Sequence, residues 1–151
     1  MMLCRWLCFI LIIISAPVLH AVENVPDETR PEHPVHIVFN TGVHSLPDRA
    51  MLLRMLRGYH YSWPEGQLVT VILPAKASPA HEPVAQHLFQ ASGRAMTRHW
   101  LKMVFSGQAS APVYLDSDAE IILQIQRSPN AIGIIAKPPA VLPDNIALVG
   151  L

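Results

Sequence analysis

Past residue 21 the sequence contains no cysteine; Cys4 and Cys8 both lie in the apolar opening segment. Neither follows the small residues that precede a lipidated cysteine, since Cys8 comes after Arg5-Trp6-Leu7. Once that segment is removed, disulfides, cysteine-bound zinc and a cysteine nucleophile are all excluded. The remaining chain, about 130 residues, must hold together through an ordinary apolar core, and it suffices for one small domain. Charge is also scarce. Asp, Glu, Lys and Arg make up 15% of the chain, with 11 basic against 11 acidic residues. Loss of Arg5 with the opening segment leaves a net charge of −1. No basic stripe is present, which argues against nucleic acid and against an anionic membrane surface as partners.

The one long apolar run, Trp6 to Ile14, follows Arg5 and is followed by a polar stretch ending Leu19-His20-Ala21. This is the layout of a secretory signal peptide over residues 1–21, and it implies a periplasmic location. The run is too short for a stable membrane anchor, which needs roughly 20 residues, so no span is expected after cleavage. Residues 22–34 carry Pro26, Pro31 and Pro34 among Glu23, Asp27, Glu28 and Glu32, and read as an extended, solvated lead-in.

Residues 35–151 read as one domain. Val35 to Asn40 is a β-rich run stopped by Thr41-Gly42. Ser45 and Asp48 have capping-box spacing ahead of a helix with Leu46, Met51, Leu52, Met55 and Leu56 at helical intervals, and Gly58 suits a left-handed stop. Trp63-Pro64-Glu65-Gly66 is a turn by composition. Gln67 to Leu73 is the clearest strand, and the loop Pro74 to Ser78 leads into a helical stretch through Ser92. A further helix is expected from Gly93 to Phe105, then a loop from Gly107 to Pro112. Ser117 and Glu120 form a second capping-box pattern before Ile121, Ile122 and Ile125, with Ser128-Pro129-Asn130 ending that helix. Ala131 to Ala136 and Ile146 to Leu151 are the last strands, the final one at an edge. Strands separated by helices give an α/β domain with a mixed, mostly parallel sheet flanked by helices.

The ordered motifs resemble the phosphate-type branch of the periplasmic substrate-binding proteins, in a short form spanning little more than one lobe. The matching stretches are Ser45 to Gly58, Trp63-Pro64-Glu65-Gly66, Val69 to Leu73, Pro74 to Ser78, Arg98-His99-Trp100, Phe105-Ser106-Gly107 and Pro129 to Ile134. The last is similar to the family's Pro-Gly-Ala-Ile-Gly-Tyr turn and strand. The resemblance implies a non-enzymatic solute-binding-like domain taking phosphate or another small oxyanion, with an ABC permease or other envelope protein as partner. The family's anion site is a Gly-Ser-Gly-Thr-like loop opening a helix, where free amides and the helix dipole favour negative charge. Here Ser78 matches the serine, but Pro79 and Ala80 replace the second glycine and the threonine. The acidic position falls near Lys76, and Leu73 or Pro74 stands where an Arg is usual. Two lost charge-assisted hydrogen bonds, roughly 1.5–3 kcal/mol each, would weaken binding by about two to four decades. The alternative is an envelope protein-interaction module that kept the fold and lost its ligand.

If the strands ending at Asn40 and Leu73 are parallel neighbours, the loops after them share the carboxyl edge where α/β sheets bind ligands. Asn40, Thr41, Lys76, Ser78 and His81 are then the candidates around one small anion. The plainer reading of Ser78 is a helix cap with Pro79 in the first helical position. Seven histidines remain after residue 21: His33, His36, His44, His60, His81, His87 and His99. No helical His pair at four-residue spacing completes a set with His33 and His36, so neither metal nor cofactor is expected. No serine lies in a Gly-x-Ser-x-Gly elbow, and no catalytic residue is assigned. The methionines at 51, 55, 96 and 103 read as core packing, and Trp63 and Trp100 as core or lobe-surface anchors.

Overall fold

Alternating apolar residues give the central strands two buried faces, and a helical layer covers each. The computed structural model describes residues 35–42 and 47–151, so the leader, the lead-in, His33, His44, Ser45 and Leu46 lie outside the described residues. The order is β1 (His36–Asn40), α1 (Arg49–Leu56), β2 (Thr70–Pro74), α2 (His81–Phe89), α3 (Gly93–Phe105), β3 (Val113–Leu115), α4 (Asp118–Arg127), β4 (Ala131–Ile135) and β5 (Ile146–Gly150). The strands form one sheet in the order β3-β2-β4-β1-β5. The domain is α/β, with a mixed five-stranded sheet flanked by helices. Among the described residues no helix is long and apolar enough to cross a membrane.

β2 pairs in parallel with both β3 and β4, whereas β1 pairs antiparallel with both β4 and β5. Four strands therefore run one way and β1 alone runs the other. This overturns the expected neighbourhood of β1 and β2. β4 lies between them, and their carboxyl ends sit at opposite edges of the sheet. The register Val71↔Ile132 and Ile37↔Ile134 puts the odd-numbered residues of β1 and β2 and the even-numbered residues of β4 on one face. There Ile37, Phe39, Val71, Leu73, Ile132 and Ile134 pack under α1, α2 and α3 with Trp63 and Trp100. The other face packs Val38, Ile72, Ala131 and Ile135 against Ile121, Ile122 and Ile125 of α4. A buried side chain of this size is worth about 1.5–3 kcal/mol, so the two layers supply most of the driving force.

The helix boundaries follow local chemistry, with some corrections. Asp48 itself caps α1, its carboxylate accepting from Met51 N at 2.7 Å. The acid placed at the far end of the expected capping box is therefore the cap. Gly58 follows α1 at φ +77°, a backbone state costly for other residues, and its Cα faces Trp100 closely. β2 starts at Thr70 and ends at Pro74, later than expected, while Ser62 and Leu68 form only an isolated bridge. Ala80, not Ser78, is the cap residue of α2, and no side chain caps that helix. Ser117 caps α4 through Glu120 N at 3.3 Å, but Glu120 reaches back to Asp116 N at 3.1 Å rather than to Ser117. The three-residue β3 falls just beyond the expected loop and was not foreseen in the sequence. β5 is an edge strand, as expected, and Leu151 N donates to Val35 O at 3.0 Å, closing the last residue on the start of the domain.

Candidate functional site

The five candidate residues divide into two groups, one at each edge of the sheet. Asn40, at the end of β1, is buried, and its carboxamide is fully engaged. Nδ2 donates to Ile125 O at 3.3 Å and to Gln126 O at 3.5 Å, while Oδ1 accepts from Gly42 N at 2.8 Å. Asn40 thus adds a donor at the end of α4, to Gln126 O and to Ile125 O, the latter also accepting from Ser128 N at 3.2 Å. Thr41 N donates to Asn145 O at 2.9 Å. These two residues join the end of β1 to its neighbours and lie away from the other three candidates.

Lys76, Ser78 and His81 do come together, after the carboxyl end of β2. They line a groove of about 730 Å³ with Pro79, Glu82, Arg94, Thr97 and Arg98. The sequence reading missed the two arginines. Their signal was present: four residues apart on one helix, they share a face, and Ser92 fixes where that helix begins. Ser92 Oγ accepts from Ala95 N at 3.4 Å, so α3 starts with Arg94 in its first turn. Thr97 Oγ1 donates to Gly93 O at 3.0 Å, which occupies its hydroxyl proton.

The close approach of α2 and α3 builds the groove. His81 is buried, and its Nδ1 lies 3.0 Å from Pro74 O; because a carbonyl only accepts, Nδ1 carries the proton. The other edge of the ring abuts α3. A Cβ on Gly93 would stand 2.4 Å from His81 Cδ2 and 2.6 Å from Nε2. Glu82 spans the same junction, accepting from Gly93 N at 2.9 Å and from Gln86 Nε2 at 3.4 Å. A carboxylate of the protein therefore already sits at the positive end of the α3 dipole.

The start of α2 offers little to an anion. Pro79 and Pro83 have no N–H. Ala80 N donates to Ser78 Oγ at 3.3 Å and His81 N to Ser78 O at 3.1 Å. Only Glu82 N remains among residues 79–83, so the amide cradle implied by the family resemblance is closed here. What the groove does offer is cationic side chains. Lys76, Arg94 and Arg98 are exposed, and among the described residues none forms an ion pair. Guanidinium groups present paired donors matching two oxygens of an oxyanion. Ser78, whose Oγ accepts from Ala80 N, keeps its own O–H to donate.

Comparison of the sequence with family models and with curated proteins finds no match.

Proposed function

We propose that this chain is an exported, non-enzymatic solute-binding domain of the phosphate-type periplasmic kind, reduced to one lobe. It holds phosphate or a similar small oxyanion in the groove at the carboxyl end of β2. The observation that carries this reading is the convergence of three cations, Lys76, Arg94 and Arg98, unpaired among the described residues, beside Ser78 at the carboxyl edge of an α/β sheet, where ligands commonly bind. The binding relies on side chains, not on helix amides, and one lobe cannot surround its ligand. Three solvated charge contacts, at about 1–1.5 kcal/mol each, correspond to a dissociation constant of about 1 mM. Glu82 is the carboxylate lining the groove, and Gly93 N and Gln86 already occupy it, which suits retention of an anion rather than acid–base chemistry. Weak affinity also fits a domain that completes its site against an ABC permease or another envelope protein.

Titration of the purified chain with phosphate, sulfate and chloride, followed by calorimetry or amide chemical shifts, tests the proposal. Saturation by phosphate or sulfate near ~1 mM, weakening with added salt, is the expected result. No saturable response to any oxyanion by about 20 mM rejects it.

A second reading, a protein-interaction module, is favoured by Leu101 and Phe105, one turn apart on α3 and 50% and 86% exposed. Under that reading Phe105→Ser abolishes an envelope crosslink while no oxyanion binds.

A further inference from the structure

The basic groove opens on the same edge of the sheet at which the folded domain begins. β1 and β4 pair His36 with Ile135, and β4 and β2 pair Gly133 with Ile72, so two residues further along Ile135 stands level with Pro74. Only β4 separates His36 from Pro74, which places them two strand spacings apart, about 10 Å. Val35, one residue earlier, packs in the apolar cluster that holds Val84 and Leu88 of α2 and Met96 of α3. The chain before Val35 therefore joins the fold close to the strand end that leads into Lys76 and Ser78.

Charge is divided between the two parts of the exported chain in a complementary way. Residues 22–34 carry Glu23, Asp27, Glu28 and Glu32 against Arg30, a net charge of −3. Residues 35–151 hold nine basic and seven acidic residues, a net charge of +2. The edge where the chain enters also has two unlike sides. On the face covered by α2 and α3 stand Lys76, Arg94 and Arg98, with no ion pair among the described residues. On the other face α4 starts with Asp118 and Glu120, preceded by Asp116, and Asp118 Oδ2 accepts from Ala136 N at 3.2 Å and Lys137 N at 2.8 Å. Carboxylates arriving at this edge are repelled by the α4 side and attracted by the groove. Arg94 adds a second pointer. It lies in the first turn of α3, where the helix dipole disfavours a cation, and no described carboxylate pairs with it.

We infer that the acidic lead-in, residues 22–34, docks in this groove with its carboxylates on Lys76, Arg94 and Arg98. Reach permits it. A chain spans at most about 3.5 Å per residue, so Glu32 extends to about 10 Å from Val35 and Glu28 to about 25 Å. Each contact is a solvent-exposed ion pair and individually weak. Tethering compensates, because a short connection holds the carboxylates at an effective concentration of the order of millimolar. The docked segment competes with a free oxyanion for the same cations and so sets how much of the groove stays open. Docking rests on the charges of the groove alone; the competition rests on the oxyanion reading.

The exported form, residues 22–151, has no cysteine, so Thr29→Cys takes a single nitroxide label between Glu28 and Glu32. The readout is paramagnetic broadening of backbone amide resonances at low ionic strength. Residues 76–82 and 93–98 should broaden roughly threefold more than residues 116–120 and 136–137 on the α4 side of the same edge, the bias that about one exposed ion pair supplies. That excess should vanish in Arg94→Glu, Arg98→Glu, whose carboxylates suit the start of a helix and keep the fold. It should vanish equally in Asp27→Asn, Glu28→Gln, Glu32→Gln, which leaves the folded domain untouched, and at about 0.5 M salt, where charges are screened within about 4 Å. The amide variant should also bind phosphate roughly threefold more tightly than the parent. A docked segment in a chain that binds no phosphate upholds this inference and rejects the oxyanion reading. Equal broadening of the two sides, or an excess that survives either set of charge changes, overturns it. So does phosphate that fills the groove without reducing the broadening. Broadening of the groove in an unlabelled, isotope-enriched chain mixed with labelled chain overturns it as well, because the occupant is then a second copy.

Discussion

The two ends of α3 are built from opposite chemistry. Its first turns carry Arg94 and Arg98 into a groove holding three cations and one occupied carboxylate. Its last turns carry Trp100 and Met103 beside a cavity with no charged side chain among the described residues that line it. One helix and one strand, β2, thus border two concavities with different exposure to solvent. The cations can stay exposed because an anion in water needs only modest help to pause there. The Trp100 indole is buried, with the Cζ3–Cη2 edge of its ring against Gly58. This contrast explains why the charged end is expected to bind weakly and by charge.

The largest effect is expected where α2 and α3 meet at the charged end. In Gly93→Ala the new Cβ would collide with the His81 ring and come within 2.9 Å of Glu82 Oε2. Prising these helices apart should cost about 2–3 kcal/mol in denaturant unfolding and weaken phosphate binding more than tenfold. Asn40→Ala should cost somewhat less, about 1–2 kcal/mol, by removing the side-chain donor to Gln126 O and Ile125 O and the acceptor for Gly42 N, while Ser128 N still serves Ile125 O. Its oxyanion affinity should not change, since Asn40 lies at the other edge of the sheet. A loss of affinity at constant fold would place Asn40 back in the site.

Arg94→Ala and Arg98→Ala should each weaken phosphate about three- to tenfold, with stability changed by less than about 0.5 kcal/mol. Glu82→Gln sharpens the comparison from the other side. Removing the internal anion should tighten phosphate roughly threefold, while the weaker cap on Gly93 costs about 0.5–1 kcal/mol. The smallest effect concerns Tyr114 on edge strand β3, whose hydroxyl pKa is raised from its ordinary value by desolvation on burial. The folded chain therefore keeps this proton where the unfolded chain loses it. The contribution is full below the unfolded tyrosine value of about 10 and declines as pH rises through the folded one. A stability profile that falls less steeply above that pH in Tyr114→Phe than in the parent chain is the expected signature.

Much of the architecture was legible because it rests on local rules. Ser117 and Gly58 mark helix ends by chemistry that acts within a turn, and Gly93 to Phe105 shows its stripe of Met96, Trp100 and Met103 directly. Pairing was not legible. The apolar character of β1 and β2 fits either direction, and only β4 between them, reversed relative to β1, fixes that their carboxyl ends point apart. That single misplacement grouped Asn40 and Thr41 with Lys76, Ser78 and His81, from which the structure separates them. That Lys76, Ser78 and His81 share one groove was legible because a loop at a strand's carboxyl end is a local inference. Arg94 and Arg98 were missed because they come from the next helix, and their position depends on how α2 and α3 dock. β3 escaped because three residues carry too little pattern to separate a strand from a loop.

Chemical-shift mapping of phosphate on the isotopically labelled chain tests the central claim most directly, since it views both edges of the sheet at once. The account predicts saturable shifts that within residues 35–151 are confined to 76–82 and 93–98, and that are absent in the double variant Arg94→Glu, Arg98→Glu. Shifts centred on Asn40 to Gly42, or a double variant that binds phosphate as the parent does, would contradict it.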